Sequence, residues 1–210
     1  FPRVCPCPLQ STLVRPDGEA DTRCVEPDCP FQSEKRIIHF GSRGAMDIEG
    51  LGEKTVVRLF EAGLMRDVAD IYALREQDLI GLEGFGPVAA RNLVTAIQAS
   101  TQMPWPRLLT GLGIRHVGGI TATAVAQVVP SLDELLAAGP ERLAAAEGVG
   151  PVVAAAIGEY LSVDGNRATL ERLRSAGLTV AMDVVASPSD GPLLGMTVVV
   201  TGGLEGMSRD

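Results

Sequence analysis

The chain has 210 residues, 46% hydrophobic and only 4% aromatic, enough for one large or two smaller packed domains and too apolar for wholesale disorder. Its net charge of −8 is spread as six acids and six bases over residues 1–44, 17 acids and 11 bases over 45–184, and three acids and one base over 185–210. That excludes a polycationic binder; no apolar run is long enough to span a bilayer, and no amino-terminal basic-then-apolar signal segment is seen.

All four cysteines lie in the first 29 residues, as Cys5-Pro6-Cys7 and then Cys24 and Cys29. Between them stands Arg15-Pro16-Asp17-Gly18, a turn signature. This predicts two cysteine-bearing loops joined by a short ribbon, in a module of residues 1–40. Four thiolates suit tetrahedral zinc, and so short a segment needs such a staple. Two disulfides are the alternative, weakened by the lack of an export signal. The single residue between Cys5 and Cys7 is shorter than zinc modules usually present, so the first knuckle must be distorted. His39 is the nearby substitute ligand, although a lone His among apolar residues is more often structural.

A short-period repeat follows. Ile48-Glu49-Gly50-Leu51-Gly52, Leu82-Glu83-Gly84-Phe85-Gly86, Ile114-Arg115-His116-Val117-Gly118 and Ala146-Glu147-Gly148-Val149-Gly150 share one pattern, and their third residues are spaced by 34, 32 and 32. Four residues beyond the last glycine come Val56, Ala90, Ala122 and Ala154, and seven beyond it Leu59, Leu93, Val125 and Ile157. Those offsets share one helical face. Each unit therefore reads as a tight turn opening into an amphipathic helix. Glu76–Ile80 and Pro140–Ala144 supply preceding helices.

Apolar, Gly, apolar, Gly, then a helix with a small packing residue is the helix-hairpin-helix pattern. Both glycines are expected to take unusual backbone angles and to let a phosphate approach, while the middle apolar residue plugs the turn into its helix pair. Amides at the start of the second helix then face the anion. Such a device holds DNA backbone without reading bases and without needing lysines. Helical hairpins that merely pack together are the plainer alternative, and four matched units at near-constant spacing argue against it. The expected contacts are Gly50, Gly52, Lys54, Gly84, Gly86, Arg91, Arg115, His116, Gly118, Gly148 and Gly150. Arg58 also lies just inside the first unit's helix. The fourth unit has no basic residue from Gly148 to Tyr160, so its role is expected to be mainly structural.

Val185–Pro192 reads as a linker. The β-branched run from Leu194 to Gly202 resembles the first strand of a BRCT domain, and a lone strand cannot bury itself.

The order of these signals resembles the carboxy-terminal part of bacterial NAD-dependent DNA ligases. It runs from the cysteine cluster through His39-Phe40, Ser42-Arg43, Met46–Gly52, Asp70-Ile71-Tyr72 and Gly113–Gly118 to the BRCT-like start. The contracted Cys5-Pro6-Cys7 pair is the departure. The resemblance implies a mainly α architecture: a zinc module at 1–40, a tandem helix-hairpin-helix domain with four hairpins at 41–184, a linker at 185–192, and the truncated start of a BRCT domain at 193–210. It implies Zn2+ on Cys5, Cys7, Cys24 and Cys29, nicked double-stranded DNA as partner, and a bacterial cytoplasmic, nucleoid-associated setting. It further implies NAD and Mg2+ for the parent enzyme, with sites in the ligase polypeptide upstream, and a BRCT-mediated partner as an open option. The family's nucleophile sits in Lys-x-Asp-Gly, but Lys35 and Lys54 are followed by Arg36-Ile37 and Thr55-Val56. No catalytic residue is expected here. A hairpin-bearing glycosylase would want a catalytic Asp constellation after a hairpin, which is missing. A non-catalytic repair scaffold with hairpin and BRCT modules stays open as the alternative.

Overall fold

The computed structural model describes residues 2–178, apart from 16, 17, 19, 27, 28 and 145–147. The expected linker and BRCT-like strand lie outside these residues.

Two strands, β1 (Leu13–Val14) and β2 (Arg23–Cys24), pair antiparallel with Leu13 opposite Cys24 and Val14 opposite Arg23. A bridge from Val4 to Thr12 and a hydrogen bond from the Cys5 amide to the Ser11 carbonyl (2.8 Å) fold the first loop onto this ribbon. Such short strands stabilise little by themselves. The module's buried centre is made of Cys5, Cys7 and Cys29, with Leu13 and Cys24 packed against them.

All other regular secondary structure among the described residues is helical. Helix α1 (Pro30–Gly41) starts directly after Cys29, with proline in its first turn, where a missing N–H costs nothing. Its far end buries Ile37 and Phe40 in the helical core. One helix thus begins at the cysteines and ends inside the larger unit. It packs against α2 (Glu53–Glu61) and completes the first hairpin's helix pair. A 3-10 turn (Asp70–Ala73) and the short α3 (Glu76–Leu79) lead to α4 (Pro87–Ser100). The third pair is α5 (Trp105–Gly111) with α6 (Gly119–Val128). Helix α7 (Leu132–Ala137) is a connector, capped by Ser131, whose hydroxyl accepts the Glu134 amide. The fourth pair is α8 (Pro140–Ala144) with α9 (Pro151–Ser162), and α10 (Asp164–Ser175) closes the domain.

A single core runs through these helices. Val56, Leu59, Ala90, Leu93, Ala122, Val125, Ala154 and Ile157, the residues at offsets four and seven, are all buried in it. The wholly buried Trp105 donates its indole N–H to the Val129 carbonyl (2.6 Å). Phe40 meets Tyr72 edge-on at 6.2 Å between ring centres, and the Tyr72 hydroxyl reaches Ser100 Oγ (3.0 Å). Among the described residues no buried side-chain polar atom lacks a partner, as a well-specified interior requires.

Candidate functional site

The four hairpins differ from expectation in how their glycines work. Only the first of each pair takes an unusual angle: φ is +86° at Gly50, +82° at Gly84 and +82° at Gly148. In the third unit His116 occupies that place at +65°, a conformation disfavoured for a side chain with a Cβ. The second glycines, Gly52, Gly86, Gly118 and Gly150, have ordinary extended backbones, with φ between −74° and −90°. The reason is local. The chain reverses at the first glycine and has already straightened when it enters the helix.

The second glycines are the N-caps of α2, α4, α6 and α9, and at none of the four does a side chain cap the helix. A Cβ added at any of them would meet nothing within 4 Å. The fold therefore does not demand glycine there. What glycine supplies is open space in front of uncapped amides at the positive end of a helix dipole. Anions bind such places.

The middle apolar residues Leu51, Val117 and Val149 are buried, as the plug reading requires, while Phe85 is half-buried. The second hairpin is thus the most open one. Its turn is braced from outside: Arg58 Nη1 donates to the Glu83 carbonyl (3.0 Å), and a Cβ on Gly84 would collide with that guanidinium. Arg58 accordingly belongs to the second turn rather than to the front of its own helix.

Lys54, Arg91, Arg115 and His116 are all exposed on or beside their hairpins. Arg91 Nε stands 3.8 Å from a Glu76 carboxylate oxygen, a loose surface pair worth little by itself. The third hairpin shares a cleft with α1, lined by Lys35, Arg36, His39, His116 and Gly118 among others. Sequence reasoning missed Arg36, although the run Lys35-Arg36 with His39 one turn on marks a basic helical face. Lys35 is itself paired with Glu53 at the start of α2 (2.5 Å). His39 stands away from the cysteines and contacts the Thr110 carbonyl through Nε2 (2.9 Å), a structural tie between α1 and α5.

At the other end of α1, the Sγ atoms of Cys5, Cys24 and Cys29 lie within 4.8 Å of one another, and all four cysteines are free thiols. Cys7 is buried in the same cluster, but its sulfur is outside that mutually close set of three. The contracted pair shows here. A backbone hydrogen bond at Cys7 favours the Cys5 thiolate, yet burial and the thiols of Cys7, Cys29 and Cys24 outweigh it and push Cys5 up to about 12. Burial acts against the Cys7 thiolate too, but the Cys5 thiol and the amides of Leu9 and Gln10 hold that group below its ordinary value. Sulfurs so crowded cannot all ionise without a cation among them. The cluster could hold a metal ion.

Comparison with known proteins matches this geometry. Residues 43–99 match the SAM-like helix-hairpin-helix tandem family, and residues 107–170 match the helix-hairpin-helix motif family. The first match spans hairpins one and two, the second hairpins three and four. A DNA ligase of Rubrobacter xylanophilus is 49% identical over 199 residues, 94% of this chain and 29% of that protein. A DNA ligase of Acidobacterium capsulatum is 45% identical over 210 residues, 100% of this chain and 31% of that protein. A DNA ligase of Chloroflexus aurantiacus is 46% identical over 213 residues, 100% of this chain and 30% of that protein. The chain spans less than a third of the length of these relatives.

Proposed function

From the premise that this chain is homologous, over essentially its whole length, to the carboxy-terminal part of bacterial DNA ligases, we propose that it grips nicked duplex DNA by its backbone for an NAD-dependent ligase acting in replication and repair. The observation that carries this is the fourfold recurrence of an uncapped helix start behind a glycine that nothing in the fold requires. Amides so presented attract phosphates without bulk positive charge, which suits a chain of net charge −8. They carry no base information, so the grip is indifferent to sequence. Adenylylation, with its NAD and Mg2+, belongs to another part of the ligase, because neither Lys35 nor Lys54 stands in Lys-x-Asp-Gly.

The cysteine cluster holds zinc in this reading. Sulfurs about 2.3 Å from a tetrahedral zinc stand about 3.8 Å from one another, and the Sγ atoms of Cys5 and Cys29 are 3.8 Å apart. Cys24 and Cys7 complete the set. Zinc would supply the positive charge that lets these thiols ionise and fixes the start of α1.

The test is a fluorescence-anisotropy titration with nicked duplexes of unrelated sequence at several salt concentrations. Equal affinities and a shallow salt slope are expected, since few counterions are displaced by side chains. Gly86→Val should weaken binding at least as much as Arg91→Ala. If folded Gly86→Val binds like the parent while Arg91→Ala abolishes binding, charge attraction is the mechanism and the amide reading fails.

A further inference from the structure

Three of the most exposed aliphatic side chains in the helical domain occupy one equivalent position. Val88 is 70% exposed, Ile120 91% and Val152 63%. Each lies two residues beyond the glycine that caps its helix: Gly86, Gly118 and Gly150. In the first hairpin the same place, two beyond Gly52, holds the exposed Lys54.

Scattered exposed aliphatics need no explanation, but recurrence at one position of a repeat does. Residues four and seven beyond each glycine are buried, so the apolar core of these helices is complete without Val88, Ile120 or Val152. Helix α6 carries no charged residue, and Ile120 is the one large aliphatic it turns fully to solvent, beside the polar Thr123 and Gln127; an aliphatic so exposed, at a place that recurs in the repeat, points to a partner. The position also fixes the neighbourhood. Side chains in a helix lean toward its N-terminus, so a residue in the first turn overhangs the helix start where the amides are open. All three are β-branched and held nearly to one rotamer in a helix, so little freedom is lost when they are pressed against a surface.

Resting on the DNA-gripping reading above, we infer that Val88, Ile120 and Val152 pack on the deoxyribose C–H faces that flank the phosphates held by their hairpins. Deoxyribose is the apolar part of the backbone, it adjoins every phosphate, and it is the same for all four nucleotides. The contact therefore adds affinity without adding base preference. Lys54 at the first hairpin makes the ionic equivalent, toward a phosphate. The grip is thus mixed, with one ionic and three apolar fingertips around the amide cradles. The fourth hairpin, which has no basic residue from Gly148 to Tyr160, has a role in binding through Val152.

Threonine tests this closely, because it keeps the branch at Cβ and exchanges one methyl of valine, or the ethyl of isoleucine, for a hydroxyl. Val88→Thr, Ile120→Thr and Val152→Thr, singly and together, are titrated with nicked duplex by anisotropy across a salt series, beside Lys54→Ala and the off-site control Val163→Thr. Helix content and Tm should match the parent, since none of the three side chains belongs to the core. Each single exchange should weaken binding about threefold to tenfold with the salt slope unchanged, whereas Lys54→Ala should reduce the slope by about one phosphate contact. Val163→Thr should bind like the parent. If the parent binds DNA and the triple variant binds equally well, this inference falls while the amide reading stands; no binding by the parent sinks both. Equal weakening by Val163→Thr overturns the inference as well. So does DNA-free self-association in sedimentation that the triple variant abolishes, for then a second copy is the partner.

Discussion

A Cβ on Gly84 would strike the Arg58 guanidinium, whereas a Cβ on Gly86 would meet nothing within 4 Å, so two glycines separated only by Phe85 serve different ends. Gly84 sits at φ +82°, where any L side chain adds roughly 1–2 kcal/mol of strain, and the displaced guanidinium would give up its bond to Glu83. Gly84→Ala should therefore lower Tm by several degrees, while Gly86→Ala should cost only the smaller preference of a helix N-cap for glycine over alanine. Thermal melts of the two variants check this; equal Tm values would show that the first glycine is not a folding requirement. The residues that carried the family resemblance divide the same way. Asp70-Ile71-Tyr72 contributes an ion pair, a buried aliphatic and a ring packed on Phe40, and His39 ties α1 to α5. They fix the shape of the domain. His116 reverses the expected pattern, since a non-glycine takes the left-handed place in the third turn. Its exposed ring is an argument for a contact there that glycine could not make.

At the scale of elements, α1 joins two centres that share no buried residue: the cysteine cluster and the helical core. The metal should accordingly order the first without being needed by the second. About one zinc per chain is expected under reducing conditions, lost in Cys24→Ser. Chelation should leave helical circular dichroism and the main melting transition nearly intact while exposing residues 2–29 to protease. Loss of the whole fold on chelation would show that α1 transmits the metal's stabilisation to the core. Much of this arrangement was legible in the sequence, because the repeat fixes turn and helix face to the residue. Every position at offsets four and seven proved buried, and the cysteine spacing foretold a ribbon between two loops. What stayed hidden depends on how helices pack. Arg58 reads as a front-face cation of its own helix until α4 places the second turn beside it. The cleft joining Arg36 to the third hairpin exists only because α5 lies against α1. Both glycines looked equally strained, since a residue type does not reveal which one carries the reversal.

At the scale of the whole molecule, long-range side-chain ties join hairpins that are distant in the chain. Arg107 in α5 donates to the carbonyls of Ala45 (2.6 Å) and Arg43 (2.6 Å), fixing the third hairpin to the loop before the first. Arg172 in α10, beyond the fourth hairpin, reaches back to Asp67 (2.7 Å) and Asp70 (2.5 Å), which follow the first hairpin's helix. Asp70 also accepts the amides of Arg66 (2.7 Å) and Asp67 (3.0 Å), so one carboxylate both shapes its own turn and fastens the far end of the domain. Burial alone would raise the Asp70 carboxyl, but the Arg172 guanidinium and these two amides outweigh it and hold it below the ordinary aspartate value of 3.8. A carboxyl held lower in the folded than in the unfolded state stabilises the fold fully above the unfolded value. That contribution is lost as pH falls through the folded one. The pair is partly exposed, so its contribution at neutral pH is set at only about 1 kcal/mol. Asp70→Asn keeps one acceptor oxygen and removes the charge. At pH 7 it should melt a few degrees below the parent. The gap should hold down to about pH 5 and narrow progressively below about pH 4, as the parent's own carboxyl takes up its proton. Melting curves of both proteins from pH 7 to pH 2.5 decide the matter. A gap that stays constant throughout would assign the loss to altered hydrogen bonding in the 67–70 turn, and the charge tie between the first and last hairpins would then not be what holds the cradles in register.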